Sequence, residues 1–182
     1  MDEIVLETIE RVYKNKDYAV FNKKSEEDLV ILDDLVKLIE QETVEVSAQE
    51  VEIGPSERIY IDYPKFKREE MAVSYSTFID ISKIIPVYYV QHEFAVENID
   101  ENRMGPVLDG FDGQPYIIDQ ANLYDKVSCF FDKNGYKELS YAEMNIVIPD
   151  IKMPQDVWLF GPQFTVRTCL FNDILNICEI DD

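Results

Sequence analysis

"MAVSYSTFIDI", Met71 to Ile81, and "VYYVQHEFAVEN", Val87 to Asn98, decide the fold. In the first, Met71, Val73, Tyr75, Thr77, Ile79 and Ile81 share one face; in the second, Tyr88, Val90, His92, Phe94 and Val96 do so. A period of two is the signature of a β-strand, whose successive side chains point to opposite faces. Only a short link separates the two stretches, and short links join antiparallel strands. Pro86 falls near the start of the second strand, where a missing N–H is tolerated.

The same period extends upstream. "RIYIDY" reads as a short strand ending before Pro64, and "IGPSE" as the turn before it. "TVEVSAQEVEI" alternates too, with a break expected near Ser47 to Gln49. Outside this middle the period becomes helical. Val5, Ile9 and Val12 mark an N-terminal helix. "KNKDYAVFNKK" is expected as a loop with Tyr18, Val20 and Phe21 extended. Ser25 with Asp28 resembles a capping box, opening a helix with Leu29, Leu32, Leu35, Val36 and Ile39 on one side.

"QANLYDKVSCFFDKNGY" reads as a helix with Leu123, Val127, Phe130 and Phe131 inward and Gly135 as its stop. Ser140 and Glu143 cap a short helix, "YAEMNIVI", that ends by Pro149. "DVWLF" and "FTVRTCLF" suggest a hairpin or a turn into a last strand, and "NDILNICEIDD" fits either a strand or a helical turn. Helices flanking a strand-rich middle predict an α+β fold with a largely antiparallel sheet, and helices at the N-terminus and in the C-terminal third. Continuous periodicity predicts a single domain over residues 1–182, a length that supports a real core.

Charge is the main anomaly. The chain has 37 acidic and 17 basic residues, a net −20. Residues 1–57 hold 16 acids and 6 bases, and residues 93–182 hold 17 and 6, whereas residues 58–92 hold 4 acids and 5 bases. Such a surface repels phosphates and anionic lipid, so neither nucleic acid nor membrane is an expected partner. It attracts basic proteins and speeds their approach. No apolar run reaches the length of a membrane span, and the acidic amphipathic start does not resemble a signal peptide, so the expected location is the cytoplasm. Cys129, Cys169 and Cys178 are odd in number and widely spaced, which suits reduced thiols packed mostly as core filler.

"VENIDENRMGPVLDGFDG", Val96 to Gly113, gathers five carboxylates, two asparagines and three glycines. Asn98, Asp100 and Asn102 fit the first three ligands of an EF-hand loop. The sixth position, which must be glycine, is Arg103, and the twelfth, which must be glutamate, is Asp109. An acidic strand-to-helix loop is expected instead. His92 is the only histidine and sits on an apolar strand face, so it is expected to be a satisfied, partly buried structural residue rather than a base or zinc ligand. No serine lies in GxSxG, and no phosphate-binding glycine loop is present. "PDIK" at Pro149–Lys152 resembles a nuclease fragment without the ExK that should come after it, and a pair of acids for glycoside chemistry means little among so many. No catalytic residue, cofactor or metal is therefore expected, and the chain does not read as an enzyme. Tyr60, Tyr63, Tyr75, Tyr88, Tyr89, Tyr116, Tyr124, Tyr136 and Tyr141 fit either a binding surface or a tyrosine-rich core.

The C-terminal third, "YDKVSCFFDKNGYKELSYAEMNIVIPDI" and then "FTVRTCLFND", resembles the immunity proteins of bacterial polymorphic toxin systems. The resemblance rests on a helix, the step Gly135, Tyr136 and Leu139, a short helix, and then Thr165, Val166, Leu170, Phe171 and Asp173 in what that family carries as a late strand. It spans roughly residues 120–175 and implies a cytoplasmic, non-enzymatic protein that blocks one cognate toxin domain. Nuclease toxins are basic because they bind phosphate, so an acidic inhibitor fits such a partner. Candidate contacts are Glu97, Asp100, Glu101, Asp109 and Asp112 in one group and Glu26, Glu27, Asp33 and Asp34 in the other. Three alternatives stay open: a protein-binding adaptor domain with no toxin partner, an enzyme that uses scattered carboxylates, or acidic runs that serve only solvation.

Overall fold

The computed structural model describes residues 3–41, 54–98, 102, 105–154 and 163–179, together with the backbone of 45–49. It is an α+β structure. Helix α1 (Glu3–Ile9) runs on as a π-helical turn (Glu10–Lys14), and α2 (Tyr18–Glu26) and α3 (Leu32–Glu40) come next. Then come β1 (Glu45–Gln49), β2 (Ser56–Asp62), β3 (Phe66–Arg68), β4 (Met71–Ser82), β5 (Val87–Asn98) and β6 (Leu108–Asp112). Helix α4 (Ile118–Lys133), β7 (Lys137–Glu138), α5 (Tyr141–Met144), α6 (Val166–Leu170) and a 3₁₀ turn (Ile177–Glu179) complete it.

The sheet runs in the order β1-β2-β4-β5-β6, all antiparallel, with β3 added to β4 and β7 added parallel to β5. The β4–β5 hairpin is its spine. Its register sets Ile79 opposite Val90 and Thr77 opposite His92, as the alternation requires. Helices lie on both faces. On one, α3 and α4 pack Leu35, Ile39, Leu123, Val127 and Phe131 against Ile59, Ile61, Ile79, Ile81, Tyr88 and Val90. On the other, the N-terminal helices and the C-terminal segment enclose Val5, Phe21, Met144, Phe164, Val166 and Leu170 with Phe78 and Tyr89. Burying one such side chain stabilises by about 1.5–3 kcal/mol, so these two cores dominate folding.

Neither helical layer reaches the whole sheet. On β4 the residues from Thr77 to Ser82 are buried and those from Val73 to Ser76 only partly so; on β5 burial is complete from Val87 to His92 and partial from Glu93 to Glu97. The hairpin is core at one end and only partly covered at the other, where Ala72 is its one buried residue; this less covered end is called bare. The boundary is held by Gln120, fully buried at the start of α4. Its side-chain carbonyl accepts from the N–H of Tyr116 at 2.8 Å and of Ile117 at 3.3 Å, and its amide donates to the Ser76 carbonyl at 2.8 Å.

Several expectations need correction. The Tyr18–Lys24 stretch is helical, not extended, and Ser25 lies inside α2 rather than capping the next helix, which starts at Leu32. β1 runs through Ser47 to Gln49 without a break. The stretch from Val96 to Gly113 is not a plain loop, since Leu108–Asp112 pairs with β5. "FTVRTCLF" holds a helix, because the Thr165 hydroxyl accepts from the Thr168 N–H at 3.4 Å and starts a turn. The "YAEMNIVI" helix stops at Met144, and Val147 forms a bridge with Thr165. The Ser140–Glu143 capping box and the left-handed Gly135 (φ +76°) are as expected. "DVWLF" lies outside the described residues. Of the cysteines, Cys169 is buried in the core and Cys178, half-buried, packs against it, whereas Cys129 is exposed.

Candidate functional site

The alternation that buries one face of β4 and β5 delivers a polar set to the other. Strand register stacks this set in rows. Arg58, Asp80 and Tyr89 form the first row, Tyr60, Phe78 and Gln91 the second, Asp62, Ser76, Glu93 and Phe111 the third, and Ser74, Ala95 and Asp109 the fourth. The first two lie at the helix-covered end; the third and fourth are bare.

Asp80 anchors the covered end. Its side chain is 1% exposed. The Arg58 guanidinium grips it through Nε and, at 2.6 Å, Nη2, and Arg167 of α6 brings Nη2 to 3.7 Å. Arg58 also donates from Nη1 to the Tyr60 hydroxyl at 3.1 Å. Both guanidiniums lie over Phe78, at 4.8 and 5.9 Å from the ring centre, where the ring quadrupole favours a cation. Burial opposes the Arg58 charge, but Asp80 more than reverses this and holds the Arg58 pKa above its ordinary value. The cluster fastens β2, β4 and the C-terminal segment together.

From there a polar line runs outward along β5. Tyr89, whose hydroxyl burial pushes up to about 12 against the opposing charge of Arg167, stays protonated and donates to Gln91 Oε1 at 3.0 Å. Gln91 donates to Glu93 Oε1 at 2.7 Å, and the Ser76 hydroxyl reaches Glu93 Oε2 at 3.5 Å. Glu93 is thus held in one orientation at the edge of the bare region.

Two hollows open beyond it. One, of 470 Å³, is lined by Asp62, Tyr63, Pro64, Lys65 and the stretch Ser74–Ser76. The other, of 450 Å³, is lined by Ser74, Ser76, Glu93, Phe94, Ala95, Asp109, Gly110 and Phe111. They share Ser74 and Ser76 and so adjoin across the bare face; together they make up the trough, with Asp62, Glu93 and Asp109 offering carboxylates and two serines offering hydroxyls. The far wall is aromatic: Phe111 of β6 contacts Tyr141 of α5 at 5.5 Å between ring centres. Gly110 has no side chain because the Phe94 ring lies beneath β6; a Cβ there would fall 2.7 Å from Phe94 Cε1.

The expected contact residues divide around this trough. Asp109 lies in it, and Glu97 lies on the same face, its carboxylate 3.2 Å from Lys65 Nζ. Asp112 pairs in register with His92, so it belongs to the opposite face, and it accepts from the Gln114 N–H at 3.0 Å. Asp100 and Glu101 lie outside the described residues. Glu26 and Glu27 end α2, with Glu27 bound to Lys24 at 2.8 Å; Asp33 and Asp34 sit exposed in the first turn of α3, with Asp34 3.4 Å from Lys37. Since α3 packs on the other side of the sheet, Asp33 and Asp34 do not share a face with the trough.

Sequence reasoning missed Asp62, Ser74, Ser76 and Glu93, and the Arg58–Asp80–Arg167 cluster. The available signal was the complementary half of the same alternation, polar at Ser74, Ser76 and Asp80 and at Gln91 and Glu93.

His92 stands behind the trough, on the covered face. It is fully buried, as a structural residue would be, but not fully satisfied. Nδ1 lies 2.8 Å from Thr77 Oγ1, whereas Nε2 has no hydrogen-bond partner among the described residues. Burial lowers its pKa to about 4, against the opposing charge of Asp112, so the ring is neutral near pH 7. Among the described residues no three His, Cys, Asp or Glu side chains gather as a metal site would need, and no helix is long and apolar enough to cross a membrane. Most of the tyrosines serve the core or its edge, with Tyr63, Tyr88 and Tyr89 buried; Tyr116 and Tyr141 are exposed. Comparison of the chain with known protein families, with curated proteins and with solved structures gives no match.

Proposed function

We propose that this chain is a cytoplasmic immunity protein that binds and neutralises a cognate toxin domain, a basic nuclease, through the trough on the bare half of its sheet. It acts by occupancy, without a catalytic residue or cofactor of its own. One observation carries the reading: in a chain of net −20, the sheet face left open by both helical layers presents Asp62, Glu93 and Asp109 around two serine hydroxyls. Glu93 is held by Gln91, so it meets a lysine or arginine already oriented, and charge-assisted hydrogen bonds are about twice as strong as neutral ones. Phe111 and Tyr141 supply an apolar wall of the kind that interfaces favour. A protein that binds phosphate presents the complementary charge, and carboxylates in its groove exclude the nucleic acid.

The test begins with capture from the native host and mass spectrometry, and proceeds to stopped-flow association with the recovered domain. The expected partner is a basic toxin domain. Its association should slow by at least about tenfold as the Debye length falls from about 10 Å at 0.1 M salt to about 3 Å at 1 M. Glu93→Gln with Asp109→Asn should slow it similarly at low salt. A captured partner that is not a toxin, or an association rate indifferent to salt and to these substitutions, refutes the reading.

A further inference from the structure

The bare half of the sheet has a second side. Register places Phe66 opposite Val73, Val73 opposite Val96, and Val96 opposite Leu108, so one apolar row crosses four strands on the face that carries α3 and α4. The helices stop short of it. Phe66 is 61% exposed, Leu108 58% and the neighbouring Met71 52%. Between Phe66, Met71 and Val73 and the charged turn after β3 lies a hollow of 820 Å³. A contiguous apolar row in water, rimmed by charges, is characteristic of a protein contact.

We propose that this row is the surface through which two copies of the chain associate. The charge distribution selects the occupant. The side chains of β3 and the turn after it, beside the row, carry both signs, Lys67 and Arg68 against Glu69 and Glu70, so the contact does not call for a strongly basic partner. The rim of the hollow includes Arg68, Glu69 and Glu70, so it carries both signs. Such a rim is self-complementary: in a two-fold contact the same patch serves both copies, and Arg68 of each faces Glu69 and Glu70 of the other. Two chains of net −20 repel, and the opposite charges that meet across a mixed-sign rim offset that repulsion at the contact. The trough lies on the other face and stays open in the pair.

This predicts a salt dependence opposite to that of toxin capture. Added salt screens the mutual repulsion and should tighten the pair, whereas it slows association with a basic partner. Sedimentation velocity on the full chain, from micromolar to hundreds of micromolar at low and at high salt, measures it. The expected result is a monomer–dimer equilibrium that shifts to dimer with salt. Phe66→Ser and Leu108→Ser should each weaken it about tenfold, the common cost of truncating a central interface side chain. Arg68→Glu should also weaken it while leaving the apolar row intact, and mixing that variant with Glu70→Lys should restore association. A chain that stays monomeric at every concentration and salt, or a dimer indifferent to all these substitutions, overturns the proposal. Either result leaves the toxin-binding reading untouched.

Discussion

Replacing Asp80 by asparagine keeps the shape of the side chain and removes its charge. The cost depends on how much water the two arginines can reach. Breaking a fully buried ion pair by removing one partner costs about 3–5 kcal/mol, because the remaining charge is left uncompensated. Asp80 is 1% exposed, but the Arg58 and Arg167 side chains are 28% and 31% exposed, so water partly solvates the orphaned guanidiniums. Asparagine also retains one oxygen for Arg58. The expected loss is therefore about 2 kcal/mol, below the fully buried figure. For a chain of this size each kcal/mol lowers Tm by about 2–4 °C, so the fall should be about 4–8 °C. Urea unfolding at pH 7 measures the first quantity, with an unchanged m-value showing that the folded and unfolded states are otherwise the same. Replacing both members, Arg58→Met with Asp80→Met, should recover more than half of the loss, since packed apolar groups often substitute well for a buried pair. If Asp80→Asn lies within about 0.5 kcal/mol of the parent, the carboxylate does not hold the two arginines and the account of this cluster is wrong.

His92 gives a pH prediction. Its folded pKa is about 4, below the unfolded value of about 6.5, so the unfolded chain takes up the proton first. Stability should fall as pH drops from about 6.5 to about 4, by about 2 kcal/mol at pH 5, with no contribution above that window. Urea midpoints at pH 7 and pH 5 should show this component in the parent and not in His92→Gln; equal losses in the two would remove His92 as its source. Gly135 has φ +76° and open space around it, so Gly135→Ala should cost only the backbone term, about 1 kcal/mol, read as a lower Tm. A neutral result there would mean that the turn after α4 relaxes freely.

The hairpin was legible because its alternation is long and its inward residues are apolar at nearly every second position. The Ser140–Glu143 cap and the stop at Gly135 were legible because each is a local device whose chemistry lies within a few residues. α2 was hidden because only Phe21 and Ser25 of its residues are buried, too few to show a period among lysines. α6 was hidden because Val166 and Thr168, β-branched residues that favour strands, sit in a single turn held by tertiary packing and by the Thr165 cap. β6 contains glycine and two aspartates, and it is a strand because β5 offers its edge and the Phe94 ring fills the place of the missing side chain. The trough was partly visible, in Asp109 and Glu97. Asp62 and Glu93 come from separate strands, and only the register through Ser76 brings them into one row.

The spine of the sheet is two strands of twelve residues each, buried at one end and bare at the other. Position along this one hairpin therefore sorts damage into two kinds. A harmful substitution between Thr77 and His92 acts through the fraction of chains that are folded, and a cell meets it as lost protein. If the trough binds as proposed, a substitution at an outward side chain of the outer halves, such as Ser74, Ser76 or Glu93, acts on folded chains and is met as lost recognition. The first kind can be rescued by cooling or by a stabilising change elsewhere; the second answers only to a compensating change in whatever it binds. On that proposal the outer end can exchange one specificity for another while the inner end keeps the same fold.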